Sequence, residues 1–206
     1  MKGGTRAFTL VELLTVIAIV AILAAVLIPT VNAAKVSANK ARTRVQFNQW
    51  AAAIESFRSE YGFYPSFHES QRVNGGAAGA EHPFHDVLAG RRRDGTALAS
   101  GSAAAVQNRK RISFYAFGEA EFTTADSPFP NWLCDGFGNV EIAVIVDRNL
   151  DGMIGASDYG GSLPLVGGMR PGAEDFPAAG VRSGVAFYAP APGATAEAPR
   201  FIFSWK

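Results

Sequence analysis

A single cysteine and only three histidines occur in the 206 residues of this sequence. One thiol excludes an internal disulfide, and it excludes a zinc site built from several cysteines. Charge is also scarce, at 18% of residues, and nearly balanced, with 19 basic against 18 acidic side chains. A net charge of +1 lacks the basic excess of a dedicated nucleic-acid binder. A hydrophobic content of 48% excludes a disordered tail protein. The length allows one domain, or one domain with an appendage. The 22 glycines and 11 prolines demand many turns and loops. The sharpest absence is local: no Lys or Arg occurs between Phe8 and Lys35, and Leu13–Val31, LLTVIAIVAILAAVLIPTV, carries no charge at all.

That run is long enough for a membrane. Counted from Phe8, at about 1.5 Å per residue, a helix crosses a hydrocarbon core of about 30 Å. The preceding MKGGTRA holds Lys2 and Arg6 and no acid, which places the N-terminus in the cytoplasm. A buried core helix would show a polar stripe, and none is present. A secretory signal is the other alternative, since Val31-Asn32-Ala33 has the small-residue character of a cleavage site. The apolar stretch exceeds the usual signal core of about 7–15 residues. Glu12 stands at its edge, where a carboxylate costs roughly 2.5–3.5 kcal/mol on insertion scales and calls for a partner. A free α-amino group at Phe8 would supply one.

Beyond Lys35, Lys40, Arg42 and Arg44, read as a solvated flank, Phe47, Trp50, Ile54, Phe57 and Tyr61 recur at helical spacing. Polar residues fill the other face, so this is an amphipathic helix with one stripe to bury. Gly62 and Pro65 end it. Residues 66–110 are Gly-, Ala- and Arg-rich and read as a long loop region with room for a short helix. Ile112–Phe117, Val140–Val146, Val185–Ala189 and Phe201–Trp205 read as strands, and Pro190–Pro199 as a hairpin loop. The expected fold class is α+β: a long N-terminal helix, membrane-spanning in its first half and amphipathic in its second, packed on a small antiparallel sheet.

The segment Arg6-Ala7-Phe8-Thr9-Leu10-Val11-Glu12-Leu13-Leu14 resembles the signal of type IV prepilins and of type II secretion pseudopilins. The resemblance covers about the first quarter of the chain. It implies cleavage between Ala7 and Phe8 by a prepilin peptidase and N-methylation of Phe8. Glu12 and Pro29 then fall where the family keeps a glutamate and often a helix-loosening proline. Ala7 departs from the family's usual glycine before the cut. Glu60-Tyr61-Gly62-Phe63-Tyr64-Pro65 resembles the N-G-x-Y-P helix exit of major pseudopilins. Cys134-Asp135-Gly136-Phe137-Gly138-Asn139-Val140 resembles their D-P-W-G-N-P-Y turn. The expected organisation is a leader over 1–7, a membrane and assembly helix over 8–31, its amphipathic continuation over 32–61, and an extracytoplasmic head over 62–206.

One motif points to a metal. Asp147-Arg148-Asn149-Leu150-Asp151-Gly152-Met153-Ile154-Gly155-Ala156-Ser157-Asp158 places oxygen-bearing side chains at positions 1, 3, 5 and 12, glycine at 6 and an apolar residue at 8. This is the loop pattern of an EF-hand, closed by Asp in place of Glu. Asp147, Asn149, Asp151 and Asp158, with the carbonyl of Met153, form the candidate calcium set, and Ile154 would anchor the loop. A β-turn at Asn149–Gly152 is the plain alternative. His82 and His85 make a poor metal pair, because Pro83 is expected to prevent a helical spacing between them. Cys134 has no base at a telling distance in sequence. The basic runs Arg91–Arg93 and Arg109–Arg111 read as solvated loops.

The expected role is assembly and not catalysis. Many membrane helices pack side by side, and Glu12 of one subunit meets the methylated Phe8 amine of a neighbour. The expected partners are further copies, other pseudopilins, the prepilin peptidase and methyltransferase, and an inner-membrane secretion platform. A minor pilin of a type IV pilus and a secreted calcium-binding protein with a conventional signal are the alternatives.

Overall fold

A computed structural model describes residues 9–77 and 81–206, and the chain divides into two compact units, Met1–Asn39 and Lys40–Lys206. Helix α1 spans Leu10–Tyr61. Its start is set by a reciprocal cap. Thr9 Oγ1 accepts the Glu12 N–H at 3.2 Å, and Glu12 Oε2 accepts the Thr9 N–H at 2.9 Å and the Thr9 hydroxyl at 2.7 Å. Its end is set by Gly62, whose φ of +81° suits glycine, and whose N–H returns to the Arg58 carbonyl at 2.7 Å.

In the first unit the apolar side chains stand in the open on all sides. Leu10, Leu13, Ile22 and Ile28 are 79%, 58%, 67% and 62% exposed. A helix apolar all round belongs in a membrane or an apolar bundle. The two threonines in the span hide their hydroxyls on their own helix: Thr15 donates to the Glu12 carbonyl and Thr30 to the Val26 carbonyl. Pro29 lies inside α1, which continues past it. Among the described residues this is one helix long and apolar enough to cross a membrane.

The second unit is built around a three-stranded antiparallel sheet. Strands β1 (Ala143–Val146), β2 (Val185–Pro190) and β3 (Phe201–Phe203) lie in that order, with Val146 opposite Val185 and Tyr188 opposite Phe203. Both faces are covered, so the strands read as continuous apolar runs. Val144, Val146, Val185, Phe187, Ala189 and Ile202 pack with Phe47, Trp50 and Ile54 of α1. Ala143, Ile145, Ala186, Tyr188 and Phe203 face the other way, onto Ile154, Val166, Phe176 and Val181. The outer edge of β1 is paired by residues 71–73: Val73 N–H donates to Ile142 and Val144 N–H to Gln71. That pairing removes an open edge.

Several expectations need correction. Residues 66–110 hold two short helices, α2 (Pro83–Ala89) and α3 (Ala103–Gln107). Pro83 begins α2, where its missing N–H costs nothing, with His82 as N-cap. It therefore places His82 and His85 in one helical turn, with ring centroids 6.4 Å apart, instead of separating them. Residues 112–117 form no strand. The N–H groups of Phe114 and Tyr115 both turn to the Leu88 carbonyl, and their rings fill gaps beside the core. The second and last expected strands shorten to 143–146 and 201–203. The hairpin loop before β3 is as expected, with Ala191 N–H donating to Arg200.

The stripe on α1 is the keystone of this core. Phe47 stacks on Phe187 at 5.5 Å, and Trp50 meets Phe84 of α2 edge-on at 5.2 Å and Phe187 at 5.8 Å. Trp50 Nε1 donates to Glu121 Oε1 at 3.1 Å, so the ring is buried without losing its polar end. Trp50→Ala should destabilise the chain by about 3–5 kcal/mol, read as a lowered denaturant midpoint of the full-length protein in detergent.

Candidate functional site

The processing residues Ala7 and Phe8 lie outside the described residues. Glu12 is described, and its carboxylate is held by the amide and hydroxyl of Thr9. The capping-box spacing Thr9-x-x-Glu12 is written in the sequence and was there to be found. The cap leaves acceptor capacity on a carboxylate that has four lone-pair sites. Pro29 sits far along the same helix and is not brought near Glu12 by any contact within the chain.

The loop from Asp147 to Asp158 curls as its spacing predicts. Leu150 and Gly152 adopt positive φ, +61° and +83°. Asp147 accepts the Asp151 N–H at 3.2 Å and the Gly152 N–H at 2.8 Å. Asn149 Oδ1 accepts the Asp151 N–H, and Asp151 Oδ1 accepts the Met153 N–H at 2.8 Å. Asp158 closes the ring by accepting from Arg148 at 2.9 Å and Gly155 at 2.8 Å. Ile154 is fully buried and pairs with Val181 through two backbone hydrogen bonds, so it anchors the loop to the core.

Asp147 and Asp158 are each 1% exposed. Among the described residues, neither has a Lys, Arg or His at ion-pair distance. Two carboxylates buried on backbone donors alone form an anionic pocket, and buried charge normally has an ionic or metal partner. Each of their oxygens keeps a lone pair beyond its N–H bond. The hard-oxygen donors therefore suit calcium. Among the described residues no three acidic, imidazole or thiol side chains are gathered as a metal cluster. The three aspartates of the loop, Asp147, Asp151 and Asp158, are thus not drawn together as a cation site. Asn149 Nδ2 donates to Asp151 Oδ2 at 2.9 Å, and a cation would have to take its place.

The Cys134–Val140 segment forms a turn locked to α1. Gln46 Nε2 donates to the Cys134 carbonyl at 2.9 Å, and the Gly136 N–H donates to Thr43 Oγ1 at 3.0 Å. Asp135 Oδ1 accepts from Phe137 and Asn139, at 2.8 and 2.9 Å. Its Oδ2 is buried with no partner among the described residues, and burial pushes this carboxyl above the usual carboxylate range. Burial likewise raises the Cys134 thiol, which leaves it protonated and a weak nucleophile. Thr43 and Gln46 were missed in the sequence because polar residues on the flank of an apolar stripe look like a solvated face. The basic runs are partly spent on neighbours: Arg92 pairs with Glu81, Arg93 pairs with Glu119 and lies over the Phe122 ring, and Lys110 pairs with Glu60.

A family model described as the prokaryotic N-terminal methylation motif matches residues 3–28. No curated protein and no solved structure matches the chain. The matched motif supports a type IV pilin-like protein, a subunit of a pilus or pseudopilus, and the long apolar helix fits a single-pass membrane anchor.

The loop makes a prediction that needs no metal. Asp147→Ala strands the Asp151 and Gly152 N–H groups in a buried site and should cost about 1–3 kcal/mol in the presence of a chelator. Asp147→Asn keeps an acceptor oxygen and should cost less. Chemical denaturation of the two variants side by side checks the order.

Proposed function

We propose that this chain is a structural subunit of a type II secretion pseudopilus, a membrane-anchored filament that helps protein export, and that its role is assembly and not catalysis. The observation that carries the reading is the N-terminal signal: a basic leader, a cap-held Glu12 and an apolar helix whose large side chains stand exposed. Cleavage after Ala7 and methylation of Phe8 leave a cation at the new terminus. In a bundle of such helices, Glu12 of one subunit faces the Phe8 amine of the next, which fixes register and removes two unpaired charges from apolar surroundings. The anchor lies in the inner membrane with the leader in the cytoplasm and the head outside it.

Two features favour the pseudopilus over a type IV pilus. The Cys134–Val140 turn is gripped by α1 as one ordered unit, in keeping with the pseudopilin turn it resembles. The Asp147–Asp158 loop would hold calcium through Asp147, Asn149, Asp151, Asp158 and the Met153 carbonyl. Bound calcium supplies the missing positive charge and tightens the loop on Ile154. Partners are further copies, other pseudopilins, the prepilin peptidase and methyltransferase, and the secretion platform.

Co-expression with a prepilin peptidase should yield a mature protein beginning at methylated Phe8, read by N-terminal sequencing and mass spectrometry. A start at Ala34 or Lys35 would instead identify a secretory signal. Glu12→Ala should be processed normally yet fail to form filaments; normal filaments from it would remove the proposed role of that carboxylate. Calcium should raise the melting temperature of the full-length protein in detergent, and Asp151→Ala should abolish the rise. An unchanged melting temperature with calcium, or an unchanged rise in the variant, counts against the loop as its site.

A further inference from the structure

A buried polar knot joins α2 to the Cys134–Val140 turn. His82, Asn74, His85 and Asp86 are 4%, 7%, 5% and 5% exposed. Asn74 is fully used. Its Nδ2 donates to the Leu133 carbonyl at 3.0 Å and the Val140 carbonyl at 2.7 Å, and its Oδ1 accepts the Leu133 N–H at 3.0 Å. With both amide hydrogens committed, the Oδ1 facing His82 Nε2 at 2.8 Å can only accept, so Nε2 carries the imidazole proton. His82 Nδ1 must then accept, and it does, from the His85 N–H at 3.3 Å, as the N-cap of α2. Every partner in this ring of bonds requires a neutral imidazole of one tautomer.

We propose that His82 is an acid-sensitive latch of the head: protonation at Nδ1 expels the His85 amide from the cap and drives the charged ring out of its buried site, which breaks its Nε2–H bond to Asn74 and loosens the turn that Asn74 ties at Leu133 and Val140. The released turn is the one gripped by Thr43 and Gln46 of α1. Nothing in this inference depends on the filament reading.

The charges around His82 favour this behaviour. On α2, Asp86 is engaged by the His85 ring at 2.9 Å and by the His82 backbone N–H at 3.2 Å, and among the described contacts its oxygens bond neither nitrogen of the His82 ring. His85, in the same turn, also disfavours a positive charge on His82. Glu81, next in the chain, is paired with Arg92. From the turn come Cys134, protonated, and Asp135, whose Oδ1 is held by Phe137 and Asn139. From the preceding loop, His68 bonds to Ser70. Burial, with His85 second, drives the His82 imidazole down to about 3.

The sign follows from linkage. An imidazole titrating near 6.5 when released and near 3 when latched holds the closed form fully above pH 6.5 and loses it as pH falls from 6.5 toward 3. Between pH 7.5 and pH 5 the open population should rise about 30-fold. Amide exchange on the full-length protein in detergent, normalised to intrinsic rates, should show this at Leu133 and His85 while β2 amides stay protected. His82→Asn keeps a capping oxygen without a titrating ring, so the same amides should exchange faster at neutral pH but without the acid-driven rise. Asp86→Asn should keep the rise. The latch is overturned if wild-type Leu133 stays protected at pH 5, or if His82→Asn retains the full rise, or if Asp86→Asn loses it. Ring ¹⁵N spectra of the unmodified protein provide a test that needs no variant: an imidazole at His82 that protonates near 6.5 with Leu133 still protected also overturns it.

Discussion

The head depends on burying one aromatic stripe of α1 against the sheet. Phe47 and Trp50 reach Phe187 at the middle of β2, and Phe84 brings α2 to the same point. A three-residue β3 and a four-residue β1 cannot make a stable sheet alone. The helix supplies the apolar face that turns three short strands into a core. The loops between residues 147 and 184 cover the opposite face through Ile154, Val166, Phe176 and Val181. Much of the irregular structure is thus held by side-chain burial, with backbone bonds closed locally.

Irregular backbone creates polar groups that must be answered inside the protein. Short polar side chains do this work. Asn74 serves Leu133 and Val140, Asn108 serves Val87 and Ile112, and Gln46 serves Cys134. The same logic explains the Asp147–Asp158 loop, where carboxylates gather backbone N–H groups and thereby concentrate negative charge in a buried place. The bonds that shape the loop are the same ones that hold its two buried carboxylates, Asp147 and Asp158, in place. At His82 the identical requirement, a buried acceptor for an amide, brings in a side chain that titrates.

The first unit follows a different rule. Its large apolar side chains from Leu10 to Val31 stand exposed, and the hydroxyls of Thr15 and Thr30 are turned inward on the helix. Such a surface is stable in lipid or among other apolar helices. Glu12 is the exception, and its Thr9 cap shows how a carboxylate can be kept in order at the start of that helix.

Periodicity and local chemistry were enough to read α1 with its stop at Gly62, the three strands near 143, 185 and 201, the curl at Gly152 and the anchoring of Ile154. Each depends on neighbours within a few residues, where spacing is geometry. Residues 112–117 looked like a strand because aromatic and β-branched side chains mark burial whether or not a ladder forms; the position of the Leu88 carbonyl decided against one. His82 beside Pro83 looked unpromising, because nothing in the sequence announces that Asn74 will arrive to accept a hydrogen bond from its ring N–H. Local sequence determined the long apolar helix, its cap and the oxygen spacing of the acidic loop. Only the tertiary structure decided which polar groups are buried together, because burial is set by what other parts of the chain pack over them.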